Sequence, residues 1–178
     1  MRQGDSRRPL PAGHAAFVPA GQIHGTITTG SGPATLISFQ CPPDAALYTG
    51  ARDSSRPGAA PPKGVITPGA VKLLDFGSQN GFFTNPGMGS KGIAIAYRRL
   101  KPAEEVATIV DANGEEVIFV WRGSVTVKSS TEHFNVGERE GLFISGGHRL
   151  VVQNDAPGET VIVQAQAPPP HLDWGKQN

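Results

Sequence analysis

A chain of 178 residues, 38% of them hydrophobic and 17% charged, has the balance of a folded globular protein. It is long enough for one well-buried domain, or one domain and a fragment of another. A net charge of +1 with no long run of Lys or Arg argues against nucleic acid or an anionic membrane surface as partner, and no window approaches the ~18–20 apolar residues of a membrane span.

Glycine (23) and proline (16) together exceed a fifth of the chain, too much punctuation for a helical bundle and well suited to short strands joined by turns. The N-terminal MRQGDSRRPLPAG has basic residues but no apolar stretch after them, so it does not read as a signal peptide, and the expected location is the cytoplasm. Residues 13–41 hold the runs AAFV, IHGTIT and ATLISFQ, whose β-branched content and intervening TTGSGP predict strands and turns. Cys41 is the one cysteine, which excludes an intramolecular disulfide framework and a thiolate-rich metal site.

Residues 42–70 contain six prolines and no helical periodicity, which predicts a linker over 44–70. From 71 to 167 the strand pattern resumes in GIAIAYRRL, EEVIFVWRG, SVTVKSS, GLFISG, HRLVVQN and TVIVQAQA, separated mostly by Gly, Asn, Asp, Pro or Ser. The segment 168–178 reads as an extended tail. The expected organisation is thus a partial module at 1–43, a linker at 44–70, a β barrel at 71–167 and a tail at 168–178.

An internal repeat decides the architecture. Residues 15–43 (AAFVPAGQIHGTITTGSGPATLISFQCPP) and 141–169 (GLFISGGHRLVVQNDAPGETVIVQAQAPP) run in the same order: strand, Gly-rich turn, histidine, strand, polar turn, apolar strand, Pro-Pro. Only the second copy has further strands in front of it. The chain reads as one and a half units of a duplicated β module.

At these residues the sequence resembles the cupins, and in particular the two-barrel bicupins. Their second motif, G-x5-P-x-G-x2-H-x3-N, is matched at Gly13, Pro19, Gly21 and His24, with Thr28 in place of the final Asn. The back end of their first motif, G-x5-H-x-H-x3-4-E-x6-G, is matched at Glu116 and Gly123. The resemblance implies an all-β fold, the cupin double-stranded β-helix or jelly-roll-like small barrel, with extra N-terminal strands. For the half module at 1–43 three arrangements stand open: the remains of a longer bicupin, strands added to the sheets of the second barrel, or strands swapped onto a neighbouring subunit. Strand addition together with a homodimer is the favoured expectation.

Cupins implied by this resemblance gather three histidines and a carboxylate around a divalent metal ion. Here the two first-motif histidines would fall at positions occupied by Ile109 and Asp111, and Ser145 replaces the second-motif proline before His148. The remaining candidate metal ligands are His148, Glu116 and Asp111, with His24 alone in the first half module. One nitrogen and two oxygens make a poor transition-metal site, so loss of the metal is expected. Asp111 lies in DANGEE, where turn chemistry accounts for it. A carboxylate buried without a metal takes a raised pKa and can serve as an acid or base, which makes Glu116 and His148 a candidate acid–base pair.

The function implied is a small-molecule enzyme of isomerase, lyase, decarboxylase or oxygenase type with a degenerate metal site. The alternative is a non-catalytic small-molecule-binding or assembly domain that has lost its metal. Either way the partner is a small molecule in the barrel, and neither nucleic acid nor a membrane is expected.

Overall fold

The computed structural model describes residues 1–43, 64–77 and 80–170. The chain divides into two compact units, Met1–Phe76 and Gly77–Asn178.

The first unit is held by short pairings. Strands β1 (Arg2–Gln3) and β2 (Ser6–Arg7) form a hairpin, and β3 (His14–Phe17) pairs antiparallel with β4 (Lys72–Asp75). Gln22 ties the turn at Pro19–Gln22 to a distant stretch: its Oε1 accepts from the Thr67 amide at 2.9 Å, and its Nε2 donates to Thr67 Oγ1 at 3.1 Å. Residues 71–76, expected to open the barrel, belong here instead, because β4 finds its ladder partner in β3. Residues 44–63 of the expected linker and 171–178 of the expected tail lie outside the described residues.

Two expectations for the N-terminal half are corrected. Among the described residues, the runs IHGTIT and ATLISFQ form no strands, and between Ile23 and Pro43 the only ladder contact is an isolated bridge from Gly25 to Arg2. The expected addition of strands from residues 13–41 is not seen either: among the described residues the two sheets of the second unit contain no strand earlier than Gly81. The physical reason is pairing. A β-branched run becomes a strand only where a neighbour accepts its backbone groups and one face is covered, and Ile27 and Leu36 are both exposed.

The second unit is two antiparallel sheets facing each other. One has the order β10 (His133–Val136), β9 (Val125–Lys128), β12 (His148–Gln153), β7 (Glu105–Val110). The other runs β11 (Gly141–Ser145), β8 (Glu115–Arg122), β13 (Thr160–Ala167), β6 (Ala94–Leu100), with β5 (Gly81–Thr84) added at its edge. From β6 to β13 the chain alternates between the sheets, apart from the β9–β10 hairpin, so strands from its two halves interleave. That order is the eight-stranded, two-Greek-key double-stranded β-helix.

Period-2 alternation explains why these strands face each other. In β6 every second residue is buried (Ala94, Ala96, Arg98, Leu100), and in β8 the buried set is Glu116, Ile118 and Val120. Val106, Val110, Ile118, Val120, Val127, Leu150, Val152 and Ile162 close the apolar core between the sheets. Each such side chain contributes roughly 1.5–3 kcal/mol by leaving water. At the turn after β8, Gly123 has φ 88° and its α-carbon packs on Thr160, so the position needs both a left-handed backbone and no side chain.

Candidate functional site

Glu116 is the centre of a polar layer built into this apolar barrel. Alternation along β8 points it inward with Ile118 and Val120, and it is 0% exposed. In register it lies opposite Gln166 on β13 and Ile144 on β11. Thr108, on β7 of the facing sheet, donates its hydroxyl to Glu116 Oε2 at 2.6 Å. Gln164 Nε2 donates to Glu116 Oε1 at 3.0 Å. Gln164 Oε1 in turn accepts from Arg98 Nε, and Arg98 is 5% exposed. A second link crosses the sheets where Gln166 Nε2 donates to the Ile109 carbonyl at 3.0 Å.

Burial sets the electrostatics. It pushes the Glu116 carboxyl above the ordinary carboxylate range, and the hydrogen bonds from Thr108 and Gln164 and the charge of Arg98 oppose that rise. Arg98 is lowered by burial and raised by Glu116. The two charges therefore steady each other at the cost of leaving water.

His148 opens β12 on the same face as Leu150 and Val152, in register with buried Val110, so it lies on the barrel side of its strand. It is exposed at the strand end, and among the described residues no hydrogen bond or ion pair joins it to Glu116. The expected acid–base pair thus shares a wall but not a contact. His148 instead lines an open cleft of about 710 Å³ between β11, β12 and the β9–β10 turn, with Phe134, Leu142, Ile144 and Leu150 among its walls. The cleft exists because β9 pairs only with Val151–Gln153 of β12, which leaves His148–Leu150 uncovered on that side. Ile144 connects cleft and polar layer: it lines the cleft and faces Glu116 across the β8–β11 ladder.

No protein-family model and no curated protein matches this sequence. Similar folds occur among solved structures. The chain is 14% identical to the Cupin_2 domain of an XRE family transcriptional regulator from Enterobacter cloacae, with a TM-score of 0.45 over 51% of this chain and 96% of that one. An uncharacterized protein with a double-stranded β-helix domain from Klebsiella pneumoniae is 14% identical, with a TM-score of 0.45 over 52% and 79%. KdgF from Halomonas sp. is 5% identical, with a TM-score of 0.44 over 52% and 79%. The strand order itself decides the fold. The barrel is a double-stranded β-helix.

A divalent metal is the cofactor that the motif resemblance implies, and the residues present do not fit one. Both oxygens of Glu116 are engaged by Thr108 and Gln164, and a guanidinium lies within the same polar layer. Among the described residues no three His, Cys, Asp or Glu side chains converge to hold a metal ion. The expected ligands are dispersed for local reasons. Asp111 is exposed in a turn closed by the Gly114 amide donating to its carbonyl at 2.8 Å. His148 is at the cleft, and His24 belongs to the first unit, exposed, its Nδ1 3.1 Å from the Gln22 carbonyl.

Sequence reasoning reached Glu116 but missed Arg98, Thr108 and Gln164. A signal for two of them was available. Alternation in AIAYRRL puts Arg98 on the face of Ala94, Ala96 and Leu100, and in TVIVQAQA it puts Gln164 beside Ile162.

Proposed function

We propose that this barrel is a metal-independent small-molecule-binding domain, and that its ligand, a small molecule with an apolar part and a polar or charged group, occupies the cleft between β11, β12 and the β9–β10 turn. One observation carries the reading. Among the described residues, this open concavity sets Phe134, Leu142 and Phe143 beside Lys128, Glu132, His148 and Arg149, whereas the titratable interior at Glu116 is enclosed and hydrogen-bonded. A volume of about 710 Å³ is in the range of small-molecule sites, and the mixed lining offers both apolar contact and charged groups to orient a ligand.

Titration with benzoate and benzamide, followed by backbone NMR, tests this. Shifts should concentrate at residues 142–150, and Leu142→Trp, which fills the cleft, should abolish them without unfolding the barrel. Shifts spread over other surfaces, or unchanged by Leu142→Trp, would overturn the reading.

A second reading is supported by the raised carboxyl of Glu116 and its place directly across from Ile144. In it the barrel is an acid–base enzyme of isomerase or lyase type: once a ligand parts Ile144 from the wall, Glu116 gives a proton to one ligand atom while His148 takes a proton from another. Glu116→Gln would then abolish turnover while leaving cleft binding intact, and His148→Ala would abolish turnover as well. In the binding-only reading Glu116→Gln leaves affinity unchanged, and no turnover exists to lose.

A further inference from the structure

We propose that Arg98 is the barrel's resident cation, joined to Glu116 through Gln164, and that this relay does internally the charge-neutralising work for which metal-bearing cupins use a divalent ion. The claim is independent of what the cleft binds.

The polarity of the relay carries the argument. Arginine has donors and no acceptor, so the Gln164 oxygen must face Arg98 Nε, as it does. That fixes the other end of the amide: Nε2 is left to point at Glu116 Oε1, 3.0 Å away. Flipping the amide would set N–H against guanidinium and oxygen against carboxylate. Gln164 is therefore a polarised bridge, with a cationic donor at its oxygen and a carboxylate at its N–H. Thr108, donating to Oε2 from the facing sheet, completes a shell of donors that favours the ionised carboxylate.

The surroundings make the pair obligatory. Glu116 and Gln164 are fully buried and Arg98 nearly so, and the other inward residues of β6 and β8 (Ala94, Ala96, Leu100, Ile118 and Val120) are apolar. A charge there without a partner is among the costliest defects a core can hold. The donor set around the carboxylate, a hydroxyl and an amide, offers no imidazole or thiolate to a metal, and the guanidinium repels one.

A double-mutant cycle on the full chain tests the proposal. Arg98→Met should lower the folding equilibrium constant on the order of 100- to 1000-fold, the usual scale for stranding one member of a buried pair. Glu116→Gln in that background should recover at least tenfold, and Gln164→Leu should weaken the coupling between positions 98 and 116, leaving only their through-space attraction. If Arg98→Met does not fold, the double variant Arg98→Met/Glu116→Gln should fold, and Glu116→Gln alone should be less stable than the wild type. Additive effects, or a Glu116→Gln variant as stable as the wild type, would overturn the relay. Titration with Mn²⁺ and with Zn²⁺ is an independent arm: the wild-type melting temperature should not move, and a rise that Glu116→Gln removes would overturn the claim that the site excludes metal.

Discussion

Gly146 packs directly on the turn that begins at Asp111. A Cβ at Gly146 would stand 2.5 Å from the Ala112 carbonyl oxygen and closer still to that of Asp111. The next residue clamps the same turn, the Gly147 amide donating to the Val110 carbonyl at 2.9 Å. Both obstructions are backbone and neither can swing aside. Gly146→Ala should therefore destabilise the barrel by about 2 kcal/mol or more, the scale of overpacking against a fixed wall. Asp111→Ala, which leaves the contact untouched, should cost much less. Urea denaturation of the two variants side by side checks the contrast.

Thr108→Val keeps the shape of the side chain and removes the donor to Glu116 Oε2. Leaving a buried carboxylate oxygen without its hydrogen bond should cost about 1–3 kcal/mol. The effect should shrink in a Glu116→Leu background, where no acceptor remains. Equal losses in both backgrounds would mean that packing alone matters at this position.

The pH dependence of stability has a definite sign. Burial raises the Glu116 pKa in the folded state above the ordinary 4.5. A group raised on folding lends stability that is fully present below its unfolded pKa and is lost as pH climbs to the folded value. Unfolding free energy should thus carry a downward contribution starting near pH 4.5, and Glu116→Gln should remove it. Melting curves of both proteins across this window provide the comparison. A difference that stays flat with pH would show that the carboxyl titrates alike in both states.

Asn154 is a fully buried polar residue whose amide holds the β12–β13 turn. Its Nδ2 donates to the carbonyls of Leu100 and Gly158, both at 2.8 Å, and its Oδ1 accepts from the Ala156 amide and the Thr160 hydroxyl, both at 2.9 Å. Asn154→Asp should be worse than Asn154→Ala at neutral pH, because it sets a buried negative oxygen against two carbonyls. A loss of about 3 kcal/mol or more is expected for the aspartate. Thermal melts at pH 4 and pH 7 check this: protonation should recover part of the loss.

Much of the barrel was legible because burial writes itself into strands with a period of two. The runs around 94–100, 115–122, 125–128, 141–145, 148–153 and 160–167 all appear as β6, β8, β9, β11, β12 and β13. The strands that escaped notice have weaker signatures. The segment EVATIV of β7 buries only Val106, Thr108 and Val110, with a threonine among them. The segment HFNV of β10 is an edge strand exposed over most of its length, and GFFT of β5 begins on glycine. In the N-terminal half the opposite error occurred. Runs as β-branched as IHGTIT stayed irregular, since composition says nothing about whether a partner edge exists.

The site was legible only in part. Glu116 stood out through its place in a recognisable pattern, but its partners are remote in sequence. Gln164 is 48 residues away, and Arg98 is 66 residues from Gln164. An arginine in a strand is read as a surface residue by default. Alternation in AIAYRRL puts Arg98 on the inward face, but the groups that make a buried guanidinium tolerable lie on β13 and β8, outside that window.

The interleaved strand order also has a kinetic side. β13 is flanked by β6 and β8, the strands that carry Arg98 and Glu116, and it is the last barrel strand to emerge during synthesis. Until residues 160–167 arrive, the guanidinium and the carboxylate have no amide between them, and one half of the hydrophobic seam stays open to water. Folding dominated by such long-range pairings is slow, so insertion of this final strand would act as the step that commits the barrel to its closed form.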